Sequence, residues 1–294
     1  MGICYRMRGL IWFMSLVVLG ISGCTKQQDT DVEFVPTPEP VIIAMLKMAG
    51  VDKDDVVYDL GCGDGRIVTL AAQLFGARGV GVDVDPSLLK QGAARSRKAG
   101  VTGRVTYVRG DLFATDLTKA TVVTLYLTPE LNLRLRPKLF RELKPGTRVL
   151  AHDFNMSDWK PDQMGRLYNV TYEYPDRIYK RDAPFYLWVM PADVSGTWHG
   201  VLATANAERS YRLRLAQTFQ EISGVLSLEG RERPITEARL SGGQLSFTCR
   251  DDRDKEKVVL WFNGRVTGNT IEGAVEIYGG ESPGNFRWLA RRAP

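Results

Sequence analysis

Histidine and cysteine are scarce in this chain. Its 294 residues include two histidines, His152 and His199, and four cysteines, Cys4, Cys24, Cys62 and Cys249. Two isolated imidazoles without a cysteine cluster argue against a zinc site, which needs three or four converging ligands. A disulfide framework is not expected either. Cys4 and Cys24 belong to an amino-terminal segment, and Cys62 and Cys249 fall in what read as different domains. Charge of one sign is also lacking. The formal net charge is +5, and it drops by two when Arg6 and Arg8 leave with the amino-terminal segment. Such a field is too weak to argue for a nucleic-acid partner. The apolar run from Leu10 to Ile21 is well short of a full membrane span.

The composition that remains, 44% hydrophobic and 25% charged, is that of a globular chain with one large or two modest domains. Met1 to Cys24 has a basic start, a short apolar run and small residues before a cysteine, which is signal-peptide anatomy. Ile21-Ser22-Gly23-Cys24 resembles a bacterial lipobox. That resemblance implies removal of residues 1–23, a lipid on Cys24, and a polar tether over 24–33. Thr25 after the cysteine resembles the outer-membrane type. The alternative is an uncleaved anchor, and it gives the same topology because Arg6 and Arg8 stay inside. The globular part is expected in the bacterial envelope, on the periplasmic face, attached to membrane through Cys24.

The richest stretch is Val56-Val57-Tyr58-Asp59-Leu60-Gly61-Cys62-Gly63-Asp64-Gly65-Arg66. A hydrophobic strand ends in an acid and runs into three alternating glycines, which let the backbone turn with no Cβ in a ligand's way. The dinucleotide fingerprint wants a glycine where this chain has Arg66. The spacing instead resembles motif I of class I S-adenosylmethionine (SAM) methyltransferases. In that family the leading acid, here Asp59, serves the methionine amino group, and Gly61, Cys62, Gly63 and Gly65 form the loop. Asp83, at the end of a second strand and about 20 residues past the loop, is placed to take the ribose hydroxyls. After a third strand the resemblance gives Asp111, followed by Leu112, the adenine amino group. Each acid alone could be a helix cap or turn residue.

Strands and helices alternate from residue 34 onward, which predicts a parallel α/β sheet. Helices are expected over 41–48, 66–75, 87–98 and 130–143, and strands over 56–60, 79–84, 104–109, 120–127 and 148–152. Tyr168 to Tyr174 and Tyr186 to Met190 read as two more strands joined by a basic loop, matching the antiparallel hairpin of a Rossmann-like, seven-stranded methyltransferase sheet. This first domain spans 34–192. From 193 to 294 short alternating runs separated by Gly-Gly and Asn-Gly turns predict a smaller all-β domain, a barrel or sandwich, with Trp198, Trp261 and Trp288 in its core.

The acceptor pocket of this fold lies over the ends of the fourth and fifth strands. There the chain places Tyr126-Leu127-Thr128-Pro129-Glu130 and His152-Asp153-Phe154. Tyr126, Glu130, His152 and Asp153 are the candidate catalytic residues, able to cradle an amine or lead its proton away. A sheet-capping tyrosine, a helix-start glutamate and a satisfied buried imidazole remain the alternative readings. The basic run Arg134, Arg136, Lys138 and Arg141 reads as a solvated helix face, with a site for an acidic partner as the second reading. The fourth-strand loop lacks the Asn-Pro-Pro-Tyr/Phe pattern of nucleobase and amide N-methyltransferases. Thr37-Pro38, the Tyr126 to Asn132 block and Leu143 to Arg148 resemble bacterial relatives of the mitochondrial ATP-synthase c-subunit lysine methyltransferases. That resemblance covers 34–191. It implies a SAM cofactor, a protein lysine as candidate acceptor, and Thr37 near the methionine end of SAM. The competing reading is a non-catalytic envelope lipoprotein that binds a ligand or partner through its SAM fold or its β domain.

Overall fold

A computed structural model describes residues 34–173, 177–203, 208–251, 258–280 and 283–293. The signal segment, Cys24, the tether and the strand end expected at Tyr174 lie outside the described residues. The first unit contains α1 (Glu39–Met48), β1 (Val56–Leu60), α2 (Arg66–Phe75), β2 (Arg78–Asp83), α3 (Pro86–Lys98) and β3 (Val105–Arg109). It continues through β4 (Val122–Leu125), α4 (Pro129–Glu142), β5 (Arg148–His152), β6 (Gln163–Glu173) and β7 (Ile178–Val189). Its seven strands are ordered β3-β2-β1-β4-β5-β7-β6. The first five are parallel, and β7 enters antiparallel between β5 and β6.

Local chemistry sets the helix starts. The Asp85 carboxylate accepts from Ser87 N at 2.7 Å ahead of α3, and the Thr128 hydroxyl accepts from Leu131 N at 3.3 Å ahead of α4. Both are side-chain caps satisfying otherwise orphaned donors, and prolines at the first helical positions fit beside them. Apolar clusters cover both sheet faces. One gathers Leu60, Leu125, Leu135, Leu139, Trp159 and Trp188, and the other gathers Val41, Ile42, Met45, Val57, Leu150 and Leu187. Because β1 and β4 are adjacent while the chain winds away from them in opposite directions, a crevice opens at their carboxyl ends.

The β6–β7 hairpin is longer than the sequence pattern predicts. The expected basic loop is paired strand, with Val170 opposite Arg181 and Thr171 opposite Lys180. Lys180 and Asp182 point outward and Arg181 between them turns to the other face, so three consecutive charges hide the strand signal without breaking the ladder. A register shift between Leu167 and Val170 interrupts the pairing, and Asn169 adopts φ 55° there.

The second unit is a closed, antiparallel barrel of β8 (Gly196–Ala203), β9 (Glu208–Thr218), β10 (Glu221–Leu228), β11 (Arg231–Ser241), β12 (Gln244–Asp251), β13 (Val258–Thr267), β14 (Thr270–Tyr278) and β15 (Gly284–Arg292). It is an eight-stranded meander, and β15 closes it by pairing with β8. Side chains fill the interior, as this strand number favours. Phe247, Phe262, Trp198 and Trp288 are buried, and Trp288 Nε1 donates to Tyr211 Oη at 2.7 Å. Gly264 leaves room for Trp288, whose ring lies 2.9 Å from where a Cβ would stand. The expectation for Trp261 is corrected. It is 36% exposed, because Leu260 and Phe262 point inward and strand alternation turns the residue between them outward.

Trp288→Ala is therefore expected to destabilise the barrel by about 3–5 kcal/mol, whereas Trp261→Ser costs under about 1 kcal/mol. Denaturant unfolding of the full chain checks the contrast, and equal losses would place Trp261 in the core.

Candidate functional site

A cavity of about 520 Å3 lies at the carboxyl ends of β1, β2 and β4, within the usual size of a small-molecule site. Thr37, Asp59, Gly61, Cys62, Asp83, Asp111 and Leu112 line it, together with Tyr126 just past the end of β4. Gly63 and Gly65 are not in its wall. The ring of Phe34 lies 2.1 Å from where a Cβ at Gly63 would stand, and the Tyr107 hydroxyl 2.3 Å from one at Gly65. These glycines are required by aromatic groups pressing on the loop as well as by their positive φ values of 51° and 68°.

Backbone bonds shape the loop. The amides of Gly61 and Cys62 both donate to Val82 O at 2.9 Å, and Gly63 N donates to Asp83 Oδ2 at 2.8 Å. Asp83 Oδ1 accepts from Asp85 N at 3.0 Å, so the β2 carboxylate is fixed against both sides of the crevice. Asp64 is clasped by Arg66, at 2.8 Å, and by Arg95, at 2.6 Å. Burial alone would raise its pKa, but the two guanidiniums hold it below the ordinary carboxylate value. Arg66 also donates to Thr37 O at 3.2 Å, tying the segment before α1 to the loop. On the far side, Asp111 Oδ1 accepts from Phe113 N at 2.8 Å, and the Arg134 guanidinium sits 4.7 Å from the Phe113 ring centre.

Asp59 is different. It is buried, and Thr124 Oγ1 donates to it at 2.7 Å. Burial pushes its carboxyl up to about 7, with repulsion from Asp83 and Asp64 adding to the rise and the Thr124 bond opposing it. A buried carboxyl in this state favours a cation next to it. That is the fit test for a ligand carrying an ammonium group, and this wall of the cavity passes it. Cys62 Sγ is buried, and burial drives its thiol well above the ordinary value, so it packs as a neutral side chain.

The four candidate catalytic residues separate. Tyr126 lines the cavity and donates its hydroxyl hydrogen to Asp153 Oδ2 at 2.9 Å. Asp153, at φ 64°, accepts from Arg181 Nη1 at 2.7 Å and also from Arg181 Nη2. Arg181 Nη2 further donates to the Tyr126 oxygen at 3.1 Å. His152 is buried behind this group. Its Nδ1 is 3.2 Å from Thr37 Oγ1 and its Nε2 is 2.9 Å from Tyr172 Oη. Burial lowers its pKa to about 4, against the opposing charge of Asp153, so it is a neutral, fully engaged imidazole. Glu130 lies exposed in the first turn of α4 and is not in the cavity wall.

The basic run on α4 is a solvated face only in part: Arg134 and Arg141 are exposed, whereas Arg136 and Lys138 are turned to neighbouring groups. Arg136 donates to Met156 O at 3.0 Å and pairs with Asp158, and Lys138 is buried against Glu142 at 2.6 Å. Arg141 also reaches Glu142, and Arg134 covers Phe113. The helix uses these long side chains to fasten its neighbours. Phe34, Asp64, Arg95 and Arg181 escaped the sequence reading as site residues. Only Arg66 carried a signal, as the residue that breaks the dinucleotide pattern.

Asp83→Ala is expected to weaken SAM binding at least about tenfold, because it removes both a ligand carboxylate and the Gly63 anchor. Titration calorimetry of the full chain checks this. Asp59 adds a pH dependence. Its free-state pKa near 7 means that a cationic ligand must displace its proton below that pH. Affinity is expected to fall as pH drops from 7 to 5, with about one proton released per ligand at pH 6. Equal binding heats in buffers of different ionisation enthalpy at pH 6 would contradict this.

Sequence comparison meets this geometry. The profile of the ANTKMT methyltransferase domain matches residues 59–163, the span from Asp59 to the start of β6. A protein-lysine N-methyltransferase of Saccharolobus islandicus (strain REY15A) is 48% identical over 134 residues, which is 45% of this chain and 83% of that protein. The human lysine N-methyltransferase of the ATP-synthase c-subunit is 33% identical over 150 residues, 51% of this chain, and the match spans only 61% of its own length. A crystal structure described as an RNA methyltransferase from Salinibacter ruber with S-adenosyl-L-homocysteine is 47% identical, covers 54% of this chain and 96% of its own, and has a TM-score of 0.47. Likeness to the archaeal enzyme over more than four fifths of its length places the chain in the family of SAM-dependent methyltransferases described by the ANTKMT domain.

Proposed function

We propose that this protein methylates a lysine side chain of a protein acceptor, working in the bacterial envelope on a lipid anchor at Cys24. The reading of the acceptor rests on one arrangement: a tyrosine that faces the cavity with its own hydrogen given to a fixed carboxylate. The names of the archaeal and human relatives support the same acceptor class. SAM, when bound, would supply a sulfonium methyl for an amine lone pair to attack in line, the carbon–sulfur bond breaking and the thioether of S-adenosylhomocysteine leaving.

The chain's residues act on the amine. Burial and the Asp153 charge keep Tyr126 a neutral phenol, with its pKa well above the ordinary value. Its hydrogen points to Asp153, and its oxygen already accepts from Arg181, so one lone pair remains for an N–H of the acceptor. That contact orients the nitrogen. Burial would raise Asp153, but Arg181 first, then His152 and Tyr126, hold it below the usual range. It stays an anion that attracts an incoming ammonium and serves poorly as a base. His152, at about 4 and fully engaged, is a support for Thr37. The acceptor's proton then leaves to water at the cavity mouth, and a dedicated base is unnecessary.

Tyr126→Phe is expected to lower kcat about 10- to 100-fold while leaving SAM affinity within about twofold. The assay is transfer of labelled methyl from SAM to poly-L-lysine and to isolated envelope proteins, with methyl-lysine identified by mass spectrometry. Methylation of other groups only, with SAM bound, would overturn the acceptor assignment. The rate on lysine should rise with pH from 6 to 9 as the acceptor amine itself loses its proton, with no inflection from His152. Labelled fatty acid should enter the wild-type chain and not Cys24→Ser, and equal labelling would remove the anchor.

A further inference from the structure

The turn between β9 and β10 enters the methyltransferase domain. Its first residue, Phe219, adopts φ 56°, the positive φ that a two-residue hairpin turn asks of that position. The Phe219 ring packs 5.7 Å from Phe140 and 5.9 Å from Trp159, with the Arg136 guanidinium 5.2 Å from its centre. Next to it, Gln220 Oε1 accepts from Trp159 Nε1 at 2.9 Å while Gln220 Nε2 donates to Lys160 O at 2.6 Å. One amide thus holds a side chain and a main-chain carbonyl of consecutive residues.

Trp159 and Lys160 belong to the segment 153–162 that links β5 to β6. The same segment begins with Asp153, the partner of Tyr126, and Phe154, whose ring stacks 6.4 Å from that of Tyr126. Regular structure does little to hold it, because an isolated bridge joins Met156 to Trp159 and side chains supply much of the rest. Asn132 Nδ2 donates to Phe154 O at 3.2 Å, and Arg136 Nη1 donates to Met156 O at 3.0 Å. Trp188 Nε1 donates to Trp159 O at 2.9 Å. The helix α4 and β7 fix the segment from within the domain, and the barrel fixes it from outside.

We propose that the barrel is a brace in cis for the acceptor side of the site, with Phe219 and Gln220 as positioning residues that set the segment carrying Asp153 and Phe154. The inference rests on placing the acceptor beside Tyr126 and Asp153. Hydrogen exchange of the segment's amides reads the brace without any acceptor, so the two ideas fail separately. The glycine-rich loop lies on the other side of the cavity and is held by Val82, Asp83 and Arg95, so the brace acts on acceptor binding and spares SAM binding.

The test uses the full chain with Phe219→Ala and Gln220→Ala combined. Amide exchange over 153–162 should speed up about tenfold, with 61–66 unchanged. KM for poly-L-lysine should rise about fivefold, with SAM affinity within about twofold. Unchanged exchange and KM would overturn the proposal, and so would an equal loss of SAM affinity, which would make the turn a general stabiliser. If the double variant does not fold, Gln220→Glu keeps the acceptor for Trp159 and loses the donor to Lys160, and it should give a smaller effect on the same amides. Glu221→Ala, which removes only the exposed pair with Lys160, should leave them as they are.

Discussion

Antiparallel entry of β7 between β5 and β6 is the constraint on which the rest of the molecule depends. His152 pairs with Phe185, and Asp153 N donates to Pro184 O at 2.9 Å, so the strand that ends at His152 is met by one running the other way. Residues that precede Phe185 in sequence therefore project beyond the carboxyl end of β5, next to Tyr126 in the cavity wall. Arg181 arrives from there to hold Asp153 and touch Tyr126. Another parallel strand would have brought a βα turn to this place instead. The opposite end of β7 leads the chain back along the sheet and into the barrel, so one strand supplies both the acceptor-side cation and the link between units.

Within the glycine-rich turn, two carboxylates only five residues apart are driven in opposite directions. Asp64 faces Arg66 and Arg95 and stays ionised, whereas Asp59 faces a threonine hydroxyl and two other acids. Burial is common to both, so the difference lies in the partners. The paired acid has spent its charge on holding α2, α3 and the loop together. Asp59, with no cation beside it among the described residues, is held partly protonated at neutral pH, at a cost in stability to the free protein there. This division separates the acid that shapes the turn from an acid in the cavity wall without such a cationic partner.

Much of the sheet was legible because its signals are local. The alternating glycines after Val56 to Leu60 and the apolar periodicity of the strands and helices around them each act within a few residues of where they stand. The helix over Arg66–Phe75 and the strand over Arg148–His152 fall where their patterns put them. The acceptor side was less legible because it is built across long separations. Arg181 lies 28 residues from Asp153 and 55 from Tyr126, inside a stretch whose charges read as a loop. Arg136 and Lys138 looked like surface because sequence cannot tell a basic side chain that meets water from one that meets Met156 O or Glu142. His152 looked catalytic for its residue type, and only the Thr37 and Tyr172 contacts reveal an imidazole with no free nitrogen. Trp261 was misplaced by residue type where strand phase should have decided.

The barrel's influence on chemistry must pass through its outside. Trp198, Phe247, Phe262 and Trp288 pack its interior, and Trp288 and Tyr211 satisfy each other there. The contact at Phe219 meets a segment that is itself strained. Asp153 and Ser157 hold φ values of 64° and 59°, each a left-handed conformation costing a non-glycine residue on the order of 1–3 kcal/mol. Arg181 and Tyr126 offset this at Asp153, and the Asn155 side-chain Oδ1, accepting from Ser157 N at 3.0 Å, offsets part of it at Ser157. Burial of Trp159 against Phe140, Trp188 and Phe219 offsets more. Phe219 takes the positive φ of a two-residue hairpin turn, and its ring adds to that burial. Strain on the segment's side of this contact makes the position of Asp153 depend on a domain that never touches the cavity.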